Sequence, residues 1–206
     1  MHPVHHHLVK VSLEEILPTQ ATVGYQEVHL KRKEWASLNP KKRADLIDSH
    51  WFPSVIGPGN KYYIVDHHHL GLALHQEGQK SVMLTVLKDL SWLDIQTFWK
   101  VMEFSQWVHP YDGEGNRLEY QALPKMVADL KDDPYRSLAG LARNQGAYAK
   151  QNTPFAEFMW ADYFRLHIKL KTIESSMEKA IQTALDLAKK TEASYLPGWA
   201  GVKEEK

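Results

Sequence analysis

Tyr63-Ile64-Val65-Asp66-His67-His68-His69-Leu70-Gly71-Leu72-Ala73-Leu74 joins a short β-branched and aromatic run to an acid, three consecutive histidines and a renewed apolar spacing. The run predicts a strand, the polar residues a turn, and Leu70–Gln76, with Leu70, Ala73 and Leu74 on one side, a helix. A strand that feeds a helix start aims backbone N–H groups and the positive end of the helix dipole at one point, where anions, phosphate above all, are held. The stretch therefore points to a site, without yet naming a reaction.

Upstream, Gly57-Pro58-Gly59-Asn60 between Pro53–Ile56 and Lys61–Val65 is a hairpin signal, and its second arm leads into the histidines. Leu8–Leu13 alternates as a strand, with Pro18 closing the short turn after it, and Ser81–Leu87 is a third apolar strand. Helices are expected over Val23–Leu38, broken by Asn39-Pro40, and over Lys41–His50. Ser91 is placed to N-cap a helix running to about Gln106 that buries Trp92, Ile95, Phe98, Trp99 and Met102. After the turn-rich Tyr111–Asn116, everything reads as helix or connector. Thr153-Pro154 should open a helix through Phe155, Phe158, Met159, Leu166 and Leu170. Ser175-Ser176-Met177-Glu178 resembles a capping box, and Tyr195–Trp199 an apolar peg that docks on the body, with Lys203–Lys206 fraying beyond it. The fold class expected is α+β: a small mixed sheet with helices over residues 8–108, then a helical part, 109–206, packed on it.

Composition narrows the chemistry. The 206 residues, 43% hydrophobic and 24% charged, are ordinary for a globular protein. Cysteine is absent, which excludes a disulfide framework, a thiolate nucleophile and cysteine-bound zinc. No run of about 18 apolar residues is present, so no membrane partner and a cytoplasmic location are expected. Lys plus Arg equals Asp plus Glu at 25 each, against the basic surplus of proteins that grip duplex DNA through many phosphates. The tract His2, His5, His6 and His7 reads as a solvated tail and is left out of the site.

Two segments carry a resemblance. Pro18-Thr19-Gln20-Ala21-Thr22-Val23-Gly24-Tyr25-Gln26-Glu27-Val28 and Tyr63–Leu70 together resemble the ParB/sulfiredoxin superfamily, in particular its ParB-like nuclease branch. Trp107-Val108-His109-Pro110-Tyr111-Asp112, Asp132-Asp133-Pro134-Tyr135-Arg136-Ser137-Leu138-Ala139 and Pro154–Asp162 also look like this branch, so the likeness covers most of the chain. It implies a ParB/sulfiredoxin-like domain with a nucleotide or polyphosphate pocket, used among relatives for nucleotide hydrolysis, ATP-dependent chemistry or phosphorylation of a small hydroxyl compound. His67 stands where many relatives have Gly, and Leu70 where many have a phosphate-binding Arg. Without cysteine, sulfinic acid reduction is excluded on chemical grounds.

The candidate residues follow from both lines. Consecutive helical residues lie about 100° apart, so the three histidines cannot share one metal ion; His68 and His69 are assigned to phosphate oxygens as N–H donors, with His67 outside them. Asp66 either N-caps the helix or shares a Mg²⁺ ion with Glu27, whose position resembles the catalytic acid of the kinase relatives. Glu27 is the candidate general base; its competing role is a surface partner for Lys31 at i,i+4. Lys31 is a further candidate for phosphate, although charge runs on helices are usually solvated. Arg136, on one face with Arg143, is expected to supply the guanidinium that Leu70 does not. The expected ligands are a nucleoside di- or triphosphate and Mg²⁺, with phosphoryl transfer or phosphodiester hydrolysis as the reaction. The rival reading is a DNA-binding partition-like or regulatory module that uses nucleotide as a switch, since Ser137–Lys150 loosely resembles the opening of a helix-turn-helix.

Overall fold

The computed structural model describes residues 7–201 and divides them into two compact units. The first comprises residues up to 23, 28–112 and 116–131; the second comprises 24–27, 113–115 and 132 onward. The fold is α+β. The amino-terminal histidines 2, 5 and 6 and the tail Lys203–Lys206 lie outside the described residues.

A five-stranded mixed sheet, ordered β1-β6-β4-β5-β2, forms the frame of the first unit. Its strands are β1 (His7–Ser12), β2 (Ile16–Pro18), β4 (Phe52–Gly57), β5 (Lys61–Ile64) and β6 (Ser81–Asp89). The expected hairpin is present as the antiparallel pair β4–β5, which pairs Val55 with Tyr63 and Ile56 with Tyr62. Ile16–Pro18, read from sequence as a turn, is instead a strand parallel to β5, with Leu17 opposite Tyr63 and Pro18 opposite Ile64. Proline is tolerated there because β2 is an edge strand. The strand β3 (Thr22–Val23) lies in a separate ladder with β7 (Lys131–Asp132), in which the Lys131 N–H donates to the Ala21 carbonyl at 3.1 Å. The expectation of helix and connector alone beyond residue 116 therefore fails at β7.

Helices α1 (Tyr25–Ser37), α2 (Pro40–Ser49), α3 (His68–Gln76) and α4 (Ile95–Phe104) fall where periodicity placed them. The cap of α4 differs: Asp94, not Ser91, accepts the Gln96 and Thr97 N–H groups, at 3.0 and 2.9 Å. Trp92 and Ile95 are correspondingly exposed, while Phe98 and Met102 are fully buried. Phe98, Trp99 and Tyr63 form an aromatic knot, with ring centroids 4.7 to 5.5 Å apart.

The second unit is built from α5 (Pro134–Asn144), α6 (Ala156–His167), α7 (Leu170–Ser175) and α8 (Met177–Ala188) around Trp160, Phe164, Leu138 and Ala184. Thr153-Pro154 does not open α6. Phe155 does, in a left-handed conformation (φ 59°), and the helix stops at His167 because Ile168 turns extended to enter the core. The helix expected to run through Leu170 therefore ends before it, and Leu166 and Leu170 are exposed. Residues 145–155 separate α5 from α6, too long a connection for a helix-turn-helix, whose turn takes three or four residues. Ser176 caps α8 through the Lys179 N–H, and the terminal peg docks: Leu196 is buried, and Trp160 Nε1 donates to the Pro197 carbonyl at 2.8 Å.

Candidate functional site

In the first unit, strand β5 runs into Asp66 and His67, and α3 begins at His68. His67 is the N-cap in a left-handed conformation, φ 65° and ψ 20°, and no side chain caps the helix. Such a φ is glycine's natural region, and here a histidine adopts it. The imidazole of His67 is retained by an edge-on contact with Phe52, ring centroids 5.4 Å apart. Asp66 is exposed, and its Oδ1 accepts the His67 N–H at 2.6 Å. It is therefore not the N-cap that its sequence position predicts, and its carboxylate stands at the mouth of the turn.

Thr19 locks this turn to the neighbouring strand. Its hydroxyl donates to the Ile64 carbonyl at 2.8 Å, and its N–H donates to His68 Nε2 at 3.1 Å. The Thr19 carbonyl accepts from the His109 N–H at 2.9 Å. Three segments that carry the family resemblance, around Thr19, Asp66 and His109, thus meet in one hydrogen-bonded cluster.

His68 is buried, and burial pushes its pKa down to about 3 against the opposing pull of Asp66. It is neutral at ordinary pH, with its Nε2 lone pair occupied by Thr19. The expected role, N–H donor to phosphate, does not suit a ring used in this way: His68 fastens the turn. His69 is buried as well. His67 is lowered chiefly by burial, with Asp66 opposing and His50 and Lys31 reinforcing, so Lys31 and His50 lie within electrostatic reach of the turn. Leu70 is buried, in keeping with its apolar replacement of arginine.

The second unit holds Glu27 and Arg136. Glu27 Oε1 accepts from Arg136 Nη1 at 3.0 Å, which pairs the carboxylate with a buried guanidinium. Arg136 also approaches Glu157 Oε2 at 4.0 Å and lies over the Phe158 ring at 5.4 Å, while Glu157 is held by Arg143. The expectation that Arg136 and Arg143 share a face is met, since both reach Glu157. Asp133 N-caps α5 through the Tyr135 and Arg136 N–H groups, at 2.9 and 3.1 Å, with Pro134 in the first turn.

Among the described residues no group of three or more His, Asp or Glu side chains is spaced to hold a metal ion by itself. Mg²⁺ needs less than that, since one or two carboxylates beside substrate phosphates suffice. The exposed carboxylate of Asp66 fits such a role. Glu27 fits it less well, because a cation at Oε1 would face the guanidinium of Arg136.

Residues 9–166 match the family described as "Putative ParB-like nuclease". The chain belongs to the ParB-like nuclease family. The crystal structure of protein Atu1540 from Agrobacterium tumefaciens is similar to it, with 42% sequence identity and a TM-score of 0.90, over 96% of this chain and 98% of that one. No curated protein matches the chain. No described helix is long and apolar enough to cross a membrane.

Within this ParB-like chain, Asp66, His67, His68, His69 and Lys31 belong to the first unit, and Glu27 and Arg136 to the second. Sequence reading passed over Thr19, Gly140 and Glu157. Thr19 and Glu157 lay inside segments already singled out by resemblance, whereas the role of Gly140 depends on a partner more than a hundred residues away, which no local pattern reveals.

Proposed function

We propose that this ParB-like protein binds the phosphates of a nucleoside di- or triphosphate at the start of α3 and uses the nucleotide in phosphoryl transfer or phosphodiester hydrolysis. The observation that carries this reading is the helix start itself: a strand enters it through a left-handed residue, and no side chain caps it. Amide N–H groups and the helix dipole favour an anion there. Lys31 adds positive charge within reach.

The roles divide as follows. Backbone amides at the α3 start and Lys31 bind phosphate, and His68 and Thr19 keep the turn in shape. Asp66 would hold Mg²⁺, which supplies charge neutralisation on the phosphate oxygens when bound. Glu27 is the general base toward a hydroxyl or water.

Thermal shift with the Mg²⁺ complexes of ATP, CTP, GTP and their diphosphates tests the reading. A nucleotide at one hundred times its Kd stabilises the fold by about 2.7 kcal/mol, a rise of several degrees in Tm. Glu27→Gln should keep that shift and lose phosphate release. A flat response to every nucleotide contradicts binding; undiminished turnover in Glu27→Gln contradicts the assignment of the base.

A further inference from the structure

We propose that α5 carries a cradle built for the Glu27 carboxylate, with Gly140 and Arg136 as positioning residues for that side chain; the functional part of this proposal rests on Glu27 being the general base. The main chain of Glu27 is fixed first. The Tyr25 N–H donates to Asp132 Oδ1 at 2.8 Å and the Gln26 N–H to Ser137 Oγ at 3.2 Å. Gly24 makes this approach feasible, since a Cβ there would stand 2.8 Å from the Ser137 amide nitrogen.

The side chain is fixed second. Gly140 lies in the interior of α5, where glycine is less favourable than alanine. Its missing methyl is replaced by the carboxylate: a Cβ at 140 would fall on Glu27 Oε1 and meet Arg136 Nη1 at 3.3 Å. Arg136 then grips the same oxygen at 3.0 Å. Arg136 is itself only 8% exposed, is steadied by Phe158 and by the Glu157–Arg143 pair, and leaves Nε without a hydrogen-bond partner.

A helix-weakening glycine is tolerated inside α5, and its missing methyl together with Arg136 Nη1 places one carboxylate in one position. Glu27 is thereby held without rotamer freedom, as a base must be for a reaction that depends on positioning.

A double-mutant cycle on the full chain tests the cradle. Gly140→Ala should lower Tm in the wild-type background and raise it in a Glu27→Ala background, where the methyl has room. The same change in both backgrounds overturns the proposal. Turnover tests the function of the cradle, with phosphate release from Mg²⁺-ATP or Mg²⁺-CTP and nicking of supercoiled plasmid DNA as probes. Gly140→Ala should cut kcat about tenfold or more while KM stays within about twofold. Adding Glu27→Asp, which shortens the side chain by one methylene, should restore part of the loss. Unchanged kcat in Gly140→Ala, or no recovery in the pair, overturns the positioning role. If Gly140→Ala does not fold, Arg136→Lys replaces it, because lysine keeps the charge and loses the planar fork; unchanged kcat there is equally fatal. Wild-type protein inert toward all three probes would remove the general-base reading and reduce the cradle, if the cycle supports it, to a structural device.

Discussion

Burial turns His68 from a titrating donor into a neutral acceptor. Its folded pKa, about 3, lies below the ordinary value of 6.5, so the unfolded chain binds a proton that the folded one refuses across the interval between them. Stability from this ring is complete above pH 6.5 and is lost as pH falls toward 3. Between pH 7 and pH 5 the wild type should lose about 2 kcal/mol relative to His68→Gln, as measured by urea unfolding of both proteins at the two pH values. Equal losses would show that the ring is not desolvated as described. The sequence marked these histidines as unusual because three in a row on a helix cannot share one metal ion. It could not say that Thr19, 49 residues away, would occupy Nε2. Arg136 is a similar case: its spacing from Arg143 gave the helix face, but which acid that face would meet depends on the tertiary fold.

At the scale of elements, hydrophobic period and turn chemistry located the strands and most helices, and caps set the errors. Ser91 was read as the cap of α4 because it precedes the apolar spacing Phe98–Met102. The structure selects Asp94, whose carboxylate takes two helix N–H groups and the Thr97 hydroxyl, the latter at 2.6 Å. Asp94→Ala should lower Tm by a few degrees and Ser91→Ala should leave it nearly unchanged, as read by calorimetry; the reverse order would contradict the assignment. α6 ended early for a reason invisible to periodicity. Ile168 leaves the helix to be buried, and Leu166 is exposed in consequence. β2 was missed because three residues are too few to show alternation, and its strand identity comes from pairing with β5.

At the scale of the whole molecule, the chain forms two compact units whose boundaries do not follow sequence order, since Gly24–Glu27 and Gly113–Gly115 belong with the carboxy-terminal helices. A linear reading assigns such short excursions to the surrounding segment. The family itself was legible, because Thr19, Asp66 and His109 lie in separate motifs that one hydrogen-bonded cluster brings together. Phosphate binding at the start of α3 is the claim on which the proposed chemistry depends. The most direct measurement is an NMR titration of the isotopically labelled protein with Mg²⁺-ATP and Mg²⁺-CTP, following backbone amides. Binding as proposed shifts the amides of His67–Leu70 first and most strongly, in a saturable way, with Lys31→Ala weakening the response. Saturable shifts confined to other segments, or none at all with either nucleotide, would contradict it.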